Sequence, residues 1–163
     1  MILIIAEKPS LARNICAGIG QMQKKNGYFE GCGYLVSWAF GHLFSLVDIE
    51  SYTGSDEGRW TLGNLPCFPE KFQFELRRAE GKKTVDTGIR KQFKIIETLA
   101  NRHDVDTIVN AGDADREGEI IVRLCIENAL NSAKSQKRLW LPDQTPETVR
   151  RALDEMKDES EYD

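Results

Sequence analysis

Two short apolar runs, Ile2 to Ala6 and Thr107 to Ala111, each break off at charged residues and lead into a stretch of helical periodicity. A β-branched run of this length, bounded by charge, is the pattern of a strand buried on both faces of a parallel sheet. Glu7 and Lys8 then sit at the carboxyl end of the first strand, and Pro9 and Ser10 open a helix that continues through Leu11, Ile15 and Ile19 and stops at the glycine-bearing stretch after Gly18. After the second strand, Gly112 to Glu119 reads as a turn feeding a helix with Ile120, Ile121, Leu124 and Ala129. Arg138 to Leu141 is a third strand candidate. Thr145 caps a last helix with Pro146 at its first position and Val149, Leu153 and Met156 on its apolar face. Strands alternating with helices predict an α/β domain with a mostly parallel sheet flanked by helices.

The region between the two runs interrupts this alternation. Tyr28 to Phe40 is predicted as a hairpin turning near Glu30 and Gly31, and Leu46 to Lys71 as an irregular excursion on the surface. Phe72, Phe74 and Leu76 alternate as a strand should, and Val85, Ile89, Phe93, Ile96 and Leu99 mark one face of a long helix. With 163 residues and 40% apolar content the chain can bury a core without staples. The expected organisation is one domain over residues 1–157 and a fraying acidic tail over 158–163.

Several function classes are excluded or left open at this level. Cys16, Cys32, Cys67 and Cys125 are widely spaced and only His42 and His103 can join them, so a zinc site is not expected. Cys16 and Cys125 fall on apolar helix faces, which fits buried thiols in a reducing cytoplasm. The amino-terminal run reaches Glu7 and Lys8 too soon for a signal peptide or a membrane span. A net charge of −4 does not exclude nucleic acid, because it averages a carboxylate cluster with any basic face.

That cluster is Asn110-Ala111-Gly112-Asp113-Ala114-Asp115-Arg116-Glu117-Gly118-Glu119, four carboxylates within seven residues at the carboxyl end of a central strand, where open α/β sheets place ligands. Unpaired, these charges raise each other's pKa values, and a divalent cation removes that cost. Mg²⁺ takes hard oxygens and keeps waters or phosphate oxygens in its shell. Asp113, Asp115 and Glu117, at alternate positions in a turn, can project towards one point; the plainer reading is an acidic start to a helix. Glu7 joins the cluster only if the strand order sets the first strand beside the second.

Glu7-Lys8-Pro9-Ser10 after an apolar strand, with Asp113-Ala114-Asp115-Arg116-Glu117-Gly118-Glu119 about a hundred residues on, resembles the amino-terminal Toprim domain of type IA DNA topoisomerases. Ser37-Trp38-Ala39-Phe40-Gly41-His42-Leu43 is similar to the family's Gly-His-Leu segment, and Trp60, Leu65-Pro66 and Pro69 resemble the topoisomerase III branch. The resemblance implies a Rossmann-like Toprim fold in which Glu7 is a general acid or base, Lys8 holds a phosphate oxygen, and Asp113, Asp115 and Glu117 bind Mg²⁺, with Mn²⁺ able to substitute. It further implies supporting or DNA-contacting roles for His42, Arg116 and Glu119, and DNA, chiefly single-stranded, as partner. Trp38 and Trp60 read as packing residues.

The family's nucleophilic tyrosine lies in a later domain, and none of Tyr28, Tyr34, Tyr52 or Tyr162 sits in a matching motif. The chain is therefore expected to be a monomer without strand-cleaving activity by itself, completed by tyrosine-bearing downstream domains. Pro142-Asp143-Gln144 also departs from the small hydroxylated residues of many relatives. Two alternatives share the motif: a Toprim primase or nuclease, and a stand-alone module that binds metal and nucleic acid.

Overall fold

A computed structural model describes residues 1–40, 43–46, 74–76, 86–158 and 161. His42, Trp60, Leu65, Pro66, Cys67, Pro69, Phe72, Val85 and most of the expected excursion over 46–71 lie outside the described residues.

Seven strands form one sheet in the order β2-β3-β4-β1-β7-β8-β9. β1 (Ile2–Ala6) is central, paired in parallel with β4 (Tyr34–Trp38) on one side and β7 (Thr107–Ala111) on the other. β8 (Ser135–Arg138) continues the parallel series beside β7. β2 (Gln23–Lys25), β3 (Tyr28–Gly31) and β9 (Lys157–Asp158) are antiparallel additions at the edges. β5 (Phe44–Leu46) and β6 (Phe74–Leu76) pair antiparallel in a separate ribbon.

The period of two along β1 sorts the core into two layers. Leu3 and Ile5, with Leu35 and Ile108, face α2 (Thr87–Ala100) and α3 (Arg116–Ala129), which contribute Ile96, Leu99, Val122, Cys125 and Ile126. Ile4 and Ala6, with Val36 and Val109, face α1 (Pro9–Ile19) and α4 (Pro146–Asp154), which contribute Leu11, Ile15, Cys16 and Val149. Both faces of the sheet are thus covered by helices, the three-layer arrangement expected from the alternation of strands and helices.

Several boundaries differ from the sequence reading, among them the last helix, which ends at Asp154 short of Met156. The hairpin turns at Cys32 and Gly33, with φ of 50° and 82°, while Glu30 and Gly31 stay in β3 opposite Leu35 and Tyr34. Two positive φ values suit a tight two-residue turn, which Glu30-Gly31 does not provide. α3 begins at Arg116, because Asp115 caps it by accepting from the Gly118 N–H at 2.6 Å; the turn is only Gly112 to Asp115. The third strand runs from Ser135 to Arg138; Leu139 still donates its N–H to the Asn110 carbonyl at 2.9 Å, and Leu139 and Leu141 pack in the second core layer. Asp158, assigned to the tail, pairs with Lys137 in β9.

Candidate active site

The register of β1 against β7 builds the site. Ala6 lies opposite Ala111, so the residues that follow each strand, Glu7-Lys8 and Gly112-Asp113, emerge side by side at the carboxyl edge. The Lys8 ammonium donates to Asp113 Oδ2 at 2.7 Å, and the Asp113 N–H donates to Glu7 Oε2 at 3.3 Å. Residues 105 and 106 apart in sequence are thereby in direct contact.

Gly118 makes this contact possible. A Cβ there would lie 2.6 Å from Glu7 Oε2 and 2.7 Å from the Asp113 nitrogen, so only glycine lets the first turn of α3 close over both. Gly112 faces the same turn from the other side, and a Cβ on it would collide with the Gly118 carbonyl. The two glycines that flank the acidic motif are therefore a packed pair, a tighter constraint than easing the backbone around a ligand.

The electrostatics follow the contacts. Burial pushes the Glu7 carboxyl above its usual range; the Asp113 N–H opposes this, the Asp113 charge adds to it, and Lys8 opposes it again. The Lys8 ammonium is held above its ordinary value, first by its hydrogen bond to Asp113 and then by the surrounding carboxylates. A half-buried carboxyl with raised proton affinity beside a firmly cationic lysine is a pair suited to moving a proton and holding an anion.

The other expected residues are placed less tightly. Asp115 spends Oδ1 on its cap to Gly118, leaving Oδ2 for a ligand, and Glu117 is exposed on the first turn of α3. Arg116 is exposed at the start of that helix. Glu119 accepts from Arg123 at 2.6 Å, one helical turn on. Among the described residues no three Asp, Glu, His or Cys side chains converge on one point. Trp38 packs in the second core layer, tilted against Phe29 with ring centroids 5.7 Å apart.

Two residues given no role from sequence complete the corner. Asn110, the buried penultimate residue of β7, has a side chain that accepts from the Gly112 N–H at 3.1 Å and donates to the Glu119 carbonyl at 3.2 Å. Arg138, the last residue of β8, is 1% exposed and reaches across to the same loop. The signal for it was an arginine set directly before Leu139-Trp140-Leu141, an odd place for a charge that faces water.

The sequence matches the family described as "Toprim domain" over residues 2–143. The chain belongs to the Toprim domain family. Among curated proteins, this Toprim domain is 37% identical over 160 residues to DNA topoisomerase 3 of Shouchella clausii (strain KSM-K16), an alignment covering 98% of the chain and 20% of that protein. It is 38% identical over 156 residues to DNA topoisomerase 3 of Staphylococcus saprophyticus subsp. saprophyticus, covering 96% of the chain and 20% of that protein. It is 37% identical over 161 residues to DNA topoisomerase 3 of Bacillus subtilis (strain 168), with 99% and 21% covered. The Toprim domain thus spans about a fifth of the length of these relatives. Among its described residues no helix is long and apolar enough to cross a membrane.

Proposed function

We propose that this domain supplies the proton-transfer and cation-binding half of the active site of a type IA DNA topoisomerase of the topoisomerase III kind. The observation that carries the reading is the in-register pairing of β1 with β7, which puts Glu7, Lys8 and Asp113 in contact in a chain about 37% identical to DNA topoisomerase 3 along nearly its whole length.

Glu7 carries the proton that a transesterification must move from an attacking hydroxyl or to a leaving ribose oxygen; its raised pKa brings it nearer to the working pH of a general acid. Lys8 holds a phosphate oxygen as charge builds there. The donor set fits Mg²⁺ or Mn²⁺: Asp113, the spare oxygen of Asp115 and Glu117 are hard carboxylate ligands on a rim open to water and phosphate, with no sulfur or imidazole among them. When bound, such a cation neutralises phosphate charge. DNA, chiefly single-stranded, is the substrate. Phe40 and Trp140, 48% and 44% exposed, lie two residues beyond the carboxyl ends of β4 and β8, and Ile120, 48% exposed, lies in the second turn of α3. A tyrosine-bearing part of the same protein would cover them.

The test places the chain in the corresponding fifth of Bacillus subtilis DNA topoisomerase 3 and measures relaxation of supercoiled DNA. The chimera should relax DNA, and Glu7→Gln in it should lower the rate roughly 10²–10⁴-fold, the usual contribution of a positioned acid or base. A Glu7→Gln chimera that works at the parent rate removes Glu7 from the chemistry. An inactive chimera whose isolated domain still binds Mn²⁺ and single-stranded DNA would favour a binding module instead.

A further inference from the structure

Among the described residues Arg138 is the largest fully buried side chain, and its guanidinium donates to one short stretch of chain. Nη1 donates to Asn110 Oδ1 at 2.9 Å, to the Asn110 carbonyl at 3.2 Å and to the Gly112 carbonyl at 3.2 Å; Nη2 donates to the Asp113 carbonyl at 3.0 Å. The strand register explains the reach, since Asn110 and Arg138 are direct partners across β7 and β8. The fork spans the point where β7 ends and the acidic turn begins, and Trp140 lies over its far side at 5.6 Å.

A buried charge is costly unless its hydrogen bonds are satisfied, so an arginine is kept in such a place only where its several rigid donors are used together. Here they fix three successive features of the turn: the side chain that holds the Gly112 N–H, the Gly112 carbonyl, and the Asp113 carbonyl. With its carbonyl held by Arg138 and its N–H held by Glu7, the Asp113 peptide is gripped on both sides, and the direction of its carboxylate is set.

We propose that Arg138 is the positioning residue of the acidic turn and sets its affinity for a divalent cation, acting through the backbone of Gly112 and Asp113. This rests on the reading that Asp113 and its neighbours bind such a cation. Groups of this kind, one step removed from the ligands, typically change metal affinity by roughly 10–100-fold when altered.

Mn²⁺ is titrated into the chain and into Arg138→Lys, with free Mn²⁺ read by its paramagnetic resonance signal, and amide exchange is followed along the backbone. Lysine retains charge and length but loses the fork. Ile15→Ala, buried in the opposite core layer, controls for general loss of stability. The expected result is a cooperative fold in all three, Mn²⁺ affinity lower by roughly 10–100-fold in Arg138→Lys alone, and faster exchange confined to residues 111–119. Should Arg138→Lys not fold, Arg138→Gln, which keeps a planar donor, takes its place with the same expectation. Unchanged Mn²⁺ affinity, or an equal loss in Ile15→Ala, overturns the proposal, as does unchanged exchange over the turn. A parent chain that binds no Mn²⁺ overturns both this proposal and the cation reading beneath it, and is told apart because the failure appears before any substitution is made.

Discussion

Glu7 carries opposite consequences for folding and for chemistry. Its proton is bound more tightly in the fold than at its ordinary value of 4.5, chiefly because burial disfavours the charge. A carboxyl with a raised folded pKa contributes stability while protonated and loses that contribution as pH rises through the folded value. In metal-free buffer, Glu7→Gln should therefore melt at or slightly above the parent at neutral pH, with the difference vanishing towards about pH 4 where the parent is itself protonated. A variant markedly less stable at neutral pH would mean that the charge holds the turn together. Asp115 makes the converse case: Asp115→Ala should cost about 1 kcal/mol through the lost cap, whereas Asp115→Asn should be close to neutral, measured by urea denaturation. The thiols report the same packing. Burial pushes Cys16 up to about 11 and Cys125 up to about 12, while Cys32 is exposed at its turn. With Cys67 replaced by serine, one thiol should react quickly with a disulfide reagent in the native protein and two more only on unfolding.

At the scale of elements, the close approach of α1 and α4 depends on Gly18, whose missing Cβ would overlap Val149, and Arg150 donates to the Gly18 carbonyl at 3.1 Å across the same contact. Helix propensity alone says Gly18→Ala gains about 1 kcal/mol; overpacking here should outweigh it and destabilise by about 1–3 kcal/mol. The double change Gly18→Ala with Val149→Ala should recover part of that loss, and strict additivity in the double-mutant cycle would contradict the contact. This contact was invisible in the sequence, although the end of the helix was legible: it runs to Ile19 and stops at Gly20, with φ of 132°, in the glycine-bearing stretch expected to end it. Elements defined by burial were legible: β1 and β7 stand at their expected residues because apolar periodicity reports which faces meet the core. Polar elements were not. β2 is Gln23-Lys24-Lys25, β8 is Ser135-Gln136-Lys137-Arg138 and β9 is Lys157-Asp158, strands made by backbone pairing with neighbours that no local pattern announces. The site divides the same way. The contact of Glu7, Lys8 and Asp113 was legible through motif and strand order, whereas Arg138 and Asn110 bond chiefly to the main chain of the turn and carry no motif of their own.

Across the whole molecule, the sheet closes its core on both faces with residues between Leu3 and Val149, and β9 seals the edge beside β8. A core so contained should unfold in one cooperative step as a monomer, observable by circular dichroism and sedimentation. Divalent cations should raise its melting temperature, since a ligand that binds only the folded carboxylates shifts the equilibrium by mass action. The rise should be small without DNA, because on the proposed reading phosphate oxygens would complete the coordination shell. Asp113→Asn combined with Asp115→Asn should abolish the rise. That double variant is a fair test because its structural cost is low: asparagine caps α3 about as well as aspartate, and the lost Lys8–Asp113 ion pair joins side chains 44% and 27% exposed, a class worth about 0–1 kcal/mol. In chelator, then, the double variant should stay within about 1 kcal/mol of the parent. A metal response that survives both substitutions would place the cation elsewhere, and one lost together with the fold would show the two carboxylates to be structural.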